Sequence, residues 1–162
     1  MLGNNAHMRL LLVPLVFVLA TSCHEAAQID QIYIRKSGWS AVDITLKSAE
    51  TGHFEISGYA RKKTGSFSFT PQQFRALRDR LEPFRTQSVP FSDASVREFI
   101  IGGVCPKGVP YVTDQGAVYI RWTGPSVDEH YLADLGCDHV RNAARNKELL
   151  AIVKSFPVPL NW

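Results

Sequence analysis

The strongest constraint on this chain is a two-residue alternation over residues 41–47. Val42, Ile44 and Leu46 fall on one side, and Asp43, Thr45 and Lys47 on the other. Only a strand with one buried face reads this way, because successive side chains point to opposite faces. Residues 31–35, Gln-Ile-Tyr-Ile-Arg, alternate in the same manner. After a turn at Ala49-Glu50-Thr51-Gly52, Phe54, Ile56 and Gly58 alternate with His53, Glu55, Ser57 and Tyr59. Lys62-Lys63-Thr64-Gly65 marks another turn, and Ser66-Phe67-Ser68-Phe69 a further short strand. Strands in such succession predict an antiparallel meander with one wet face.

The period then changes. Thr70 can cap a helix, Pro71 suits its first position, and Gln73 completes a capping box. Phe74, Leu77, Leu81 and Phe84 follow at helical spacing, and Pro83 is expected to stop the helix near Glu82. Residues 86–95 read as a polar loop and residues 96–101 as a strand entering Gly102-Gly103. A hairpin is expected between 109–113 and 117–123, with Val118, Ile120 and Trp122 on one face. Residues 126–139 are polar and without period. A last helix begins near Val140 and buries Val140, Ala144, Leu149, Ile152, Val153 and Phe156. The expected architecture is α+β: a β-meander plus a β-hairpin forming an antiparallel sheet, with two helices packed on one face.

The chain has 162 residues, 45% hydrophobic and 20% charged, with a formal charge of +3. That fits one domain and argues against disorder throughout. The basic excess is too small and too scattered for nucleic acid. No motif implies a cofactor. His24-Glu25 lacks the second histidine of a zinc protease, and Gly38-Trp39-Ser40 lacks the second glycine of a nucleophile elbow. Gly102 to Gly108 lacks the order of a phosphate loop.

The amino-terminal segment says where the chain works. His7 and Arg9 precede an uncharged apolar run over residues 10–20, followed by Thr21-Ser22-Cys23. As a helix that run spans about 16 Å, roughly half a bilayer core. The order predicts a secretory signal over residues 1–22, with Met8 as an alternative start. Leu19-Ala20-Thr21-Ser22-Cys23 resembles the bacterial lipobox. The resemblance implies that Cys23 is lipidated and becomes the new terminus, that residues 23–30 form a tether, and that residues 31–162 form the folded domain. His24, where retained lipoproteins carry Asp, implies the outer membrane, facing the periplasm. Cleavage after Ser22 to a soluble periplasmic or secreted protein is the alternative.

With Cys23 assigned to lipid, Cys105 and Cys137 remain. Export places them in an oxidising compartment, so a disulfide is expected rather than a metal site or a reactive thiol. Cys105-Pro106, followed by Tyr111-Val112-Thr113-Asp114-Gln115-Gly116, resembles a small class of bacterial envelope proteins with a Cys-Pro-x-Tyr-like motif before a hairpin. Here Tyr111 stands five residues past Pro106 rather than two. That class brings no activity with it. Residues 113–119 also open like the peptidoglycan signature of outer-membrane-protein-A-like domains, but no Arg-bearing helix follows.

The densest group of chemistry-bearing residues is Asp128, Glu129, His130, Tyr131, Asp134, Asp138 and His139. Asp128, Glu129, His130, Asp134 and His139 are the candidates for ligand or partner contact, and Asp138 for capping the last helix. Arg61-Lys62-Lys63 at a hairpin tip could meet anionic headgroups, and Arg75, Arg78, Arg80 and Arg85 an acidic partner. Trp39 and Trp162 are candidates for exposed contact. The sequence thus predicts a non-enzymatic envelope lipoprotein that binds a protein or envelope component. The alternatives are an inhibitor of a secreted hydrolase, and a periplasmic hydrolase using residues 128–139.

Overall fold

Strand β1 (Gln31–Lys36) lies at the centre of a single antiparallel sheet. The structure, a computed structural model, describes residues 28–48, 51–58, 62–102 and 105–159. The signal, Cys23, most of the tether, Arg61 and Trp162 lie outside the described residues. Along the chain follow β2 (Ser40–Lys47), β3 (Thr51–Gly58), β4 (Lys63–Ser68), α1 (Pro71–Arg85), β5 (Val89–Pro90), α2 (Asp93–Gly102), β6 (Ala117–Gly124), β7 (Val127–Asp134) and α3 (Ala143–Lys154). The strand order is β4-β3-β2-β1-β6-β7-β5. The fold is α+β, with an antiparallel sheet and helices. Among the described residues no helix is long and apolar enough to cross a membrane.

Register fixes which residues share a face. Ile34 stands opposite Ile44 on β2 and Ile120 on β6, and Ile32 opposite Leu46 and Trp122. All six are buried. Phe74, Leu77, Leu81 and Phe84 of α1, and Leu149, Ile152 and Val153 of α3, pack on them in one core. Each such side chain contributes about 1.5–3 kcal/mol when fully buried. The Thr70 capping box forms in both directions: Gln73 N–H donates to Thr70 Oγ1, and Thr70 N–H donates to Gln73 Oε1. At the far edge Gly52 lies opposite Phe67, and Gly65 opposite Phe54. A Cβ on either glycine would meet the facing ring within 2.6 Å, so each glycine makes room for an aromatic side chain.

Several expectations are corrected. Helix α1 runs through Pro83 to Arg85. A proline so near the end disturbs only the last turn, and Phe84 beyond it is buried against the Tyr131 ring. β4 begins at Lys63, inside the expected turn. Residues 96–101 belong to helix α2, not a strand. The Ser92 hydroxyl accepts the Ser95 N–H, the Ser95 hydroxyl accepts the Ser92 N–H, and Asp93 sits in the first turn. That local capping outweighs the β-branched content of Val96, Ile100 and Ile101.

The expected hairpin has one correct arm. β6 pairs with β7, not with residues 109–113, where Tyr111 makes only an isolated bridge to Cys137. The stretch 126–139 is therefore largely strand. Its Val127, Tyr131 and Ala133 face the core, while Asp128 and His130 face the other way. Helix α3 starts at Ala143, so Val140 and Ala144 are exposed rather than core. Asp138 does not cap it by its side chain. Its backbone carbonyl accepts the Asn142 N–H, in a left-handed turn at φ 42°. Cys105 and Cys137 are disulfide-bonded, with Cα atoms 5.3 Å apart, and close a loop with a separation of 32 residues. Gly116 has φ 71°, and a Cβ there would stand 2.0 Å from the Ser37 carbonyl oxygen. Only glycine lets these two loops close on each other.

Candidate functional site

The face opposite the core has two parts. Over β2, β3 and β4 it carries exposed or half-buried polar side chains, such as Thr45, His53, Glu55 and Ser66. Over β6 and β7 it is covered by Phe91 and α2. The node of that cover is His130, which is fully buried. Its Nε2 is hydrogen-bonded to Ser95 Oγ at 2.9 Å and its Nδ1 to the Tyr119 hydroxyl at 3.1 Å. The ring packs between Phe91, Phe99 and Tyr119, with centroids 5.3, 4.7 and 5.6 Å away. A neutral imidazole satisfies both neighbours, since one nitrogen donates and the other accepts. Burial, and then the Arg121 charge, push its pKa below the usual 6.5, so the ring is neutral at neutral pH.

Beside this node opens a cleft of about 520 Å³. Its floor is Tyr33 of β1 and Tyr119 of β6, whose rings meet edge to face at 6.0 Å. One wall is Phe91 and Val96. Arg121 lies with its guanidinium 3.3 Å from the Phe91 ring centroid and holds both Asp128 oxygens at 2.8 Å. That pairing lowers the Asp128 pKa and raises that of Arg121. Tyr33 donates to Asp43, which also receives Arg35 at 2.8 Å. Burial first, and the Asp43 bond second, raise the Tyr33 pKa to about 12, so the phenol stays protonated. The end nearest the tether is closed by Gln31 and Thr123, partners in the β1–β6 register.

The candidates within residues 128–139 do not converge. Asp128 and His130 belong to the cleft and its support. Glu129 points to the core side, where it pairs with Arg85 of α1. Asp134 accepts the Gly136 N–H at 2.9 Å. His139 lines a separate cavity of about 470 Å³ with Lys36, Asn146 and Lys154. Ser95, whose hydroxyl meets His130 Nε2, also sits among Ser92 and Pro90 groups as the α2 cap. No set of nucleophile, base and open reacting position results. Among the described residues no group of three or more His, Cys, Asp or Glu could hold a metal ion.

The basic candidates are largely paired. Lys62 meets Glu55, Arg78 meets Asp79, and Arg80 meets Glu148. Trp39 is 68% exposed at the β1–β2 turn. Tyr33, Phe91, Val96, Tyr119 and Arg121 were not candidates from the sequence. Tyr33 meets Tyr119 and Arg121 only because β1 pairs with a strand some ninety positions later, Gln31 with Thr123, while Phe91 and Val96 are brought over them by the segment docked on β7 and by α2.

No protein-family model matches the chain, and no curated protein or solved structure matches it significantly.

Proposed function

We propose that the chain is an exported, lipid-anchored binding protein of the bacterial envelope, held by Cys23 at the outer membrane and facing the periplasm. Its α+β domain binds a protein or envelope component in the cleft between α2 and the sheet. The observation that carries the binding reading is the cleft itself. It offers three aromatic rings and two polar side chains on a scaffold whose charged groups are already committed to one another. Such preorganised surfaces bind with little ordering cost. Support for export comes from the lipobox-like segment and from the Cys105–Cys137 bond, which persists in oxidising compartments. Ile29 already sits in the core and Asp30 N–H donates to the Thr123 carbonyl, so the domain begins there. The residues left as tether, 24–28, reach about 18 Å at most, which keeps the domain near the lipid surface.

The test is site-specific photo-crosslinking in cells. A photo-reactive residue replaces Val96 in the cleft wall, or Lys63 at the far sheet edge. Discrete adducts from position 96 and none from position 63 are expected. Equal adducts from both positions, or none from 96, contradict the binding reading.

A further inference from the structure

The chemistry of the cleft narrows its ligand. Arg121 is balanced by Asp128 and Arg35 by Asp43, so among the described residues no unpaired charge lines it. A phosphate or carboxylate would find no free cation there, and a cation no free acid. A purely apolar chain would strand Gln31 and Thr123, whose side chains make no hydrogen bond with another described residue. Stripping water from such groups without replacement is costly. An extended peptide adding to the sheet is also excluded. The cleft floor is β1 and β6, and both edges of each strand are already paired.

What remains is a neutral molecule with an apolar face and several hydroxyl or amide groups. We propose that the cleft takes a sugar ring of a neutral glycan, its C–H face on Tyr33, Phe91 and Tyr119 and its polar groups on Gln31 and Thr123. Aromatic rings give a large contact area at low entropy cost, and the amide and hydroxyl fix orientation. Tyr33 and Tyr119 are themselves held, by Asp43 and His130, so their rings are set before ligand arrives. The cleft volume of about 520 Å³ lies within the range of small-ligand sites. This inference rests on the binding reading above and names its ligand class.

The test uses the full-length chain in a detergent without a sugar headgroup. Chitotetraose and maltotetraose serve as neutral probes and tetragalacturonate as the acidic one, followed by saturation-transfer NMR and calorimetry. At least one neutral probe is expected to bind, and more tightly than the acidic one. Gln31→Ala and Thr123→Val should each weaken it by roughly 3- to 10-fold, the scale of one hydrogen bond. Tyr33→Ala should weaken it by about 10-fold or more, and Lys63→Ala not at all. Thermal unfolding of each variant separates lost binding from lost folding. The proposal is overturned if neither neutral probe binds, if the acidic probe binds best, or if folded Q31A, T123V and Y33A all bind like wild type. Failure here with protein adducts from position 96 removes the glycan and leaves the binding reading; failure of the crosslinks as well removes both.

Discussion

The two faces of the sheet are built by different rules. Toward α1 and α3, strands β1, β2 and β6 contribute apolar side chains, and Ile32, Ile34, Val42, Ile44, Leu46, Val118, Ile120 and Trp122 are all at most 1% exposed. The opposite face has no such uniform lining. It is polar over β2 to β4, and where α2 docks it is joined by a histidine, a serine hydroxyl and a tyrosine hydroxyl. A hydrophobic face is indifferent to small shifts, because its attraction is non-directional. A hydrogen-bonded node specifies one arrangement, and loses more if a partner is missing. The core face holds the fold together, and the other face places a particular set of side chains around a cleft.

The contrast makes graded predictions. Trp122→Ala, at the centre of the core face, should cost about 3–5 kcal/mol in denaturant unfolding. The Trp122 Nε1 has no hydrogen-bond partner among the described residues, so Trp122→Phe should cost far less. Replacing both Cys105 and Cys137 by Ala should cost up to about 3.7 kcal/mol by loop-closure entropy, visible as a lower melting temperature. His130→Ala should cost about 2–3 kcal/mol, combining a cavity among three rings with the loss of the α2 link. Hydrogen exchange should then accelerate in α2 before it does in α1. If both helices accelerate together, the two faces are not separable.

His130 also gives the faces different pH responses. Its folded pKa lies below the ordinary 6.5, so the unfolded chain takes up the proton first as pH falls. Stability should therefore decline from about pH 6.5 downward, until the folded-state pKa is passed. His130→Gln should flatten that decline, and a Trp122 variant should not. The smallest effect is expected at Arg78→Ala, whose pair with Asp79 is exposed: within about 0.5 kcal/mol. A loss comparable to His130→Ala would mean that surface pairs matter more than this contrast allows.

How far the sequence was legible follows the same division. The meander strands and α1 announce themselves by alternation and by the Thr70-Pro71-Gln73 start. Their partners are neighbours in the chain, so local pattern and tertiary packing agree. β7 was hidden because it has demands on both faces: Tyr131 and Ala133 toward the core, Asp128 and His130 toward α2. Its polar letters looked like a solvated loop, although Asp128 is held by Arg121 and His130 is buried. α2 was hidden because Val96, Ile100 and Ile101 suggest a strand, while its caps are two serines three residues apart. The cleft could not be read at all. Tyr33 and Tyr119 lie far apart in sequence, and only the β1–β6 register joins them.

The central claim is that this domain works outside the cytosol, stapled by one disulfide and anchored at Cys23. Intact-mass analysis of the protein extracted from membranes without reductant tests it most directly. The account predicts a chain beginning at Cys23, heavier by its acyl groups and lighter by two hydrogens at Cys105 and Cys137. An unprocessed chain without acyl groups, bearing free thiols at Cys105 and Cys137, would contradict it.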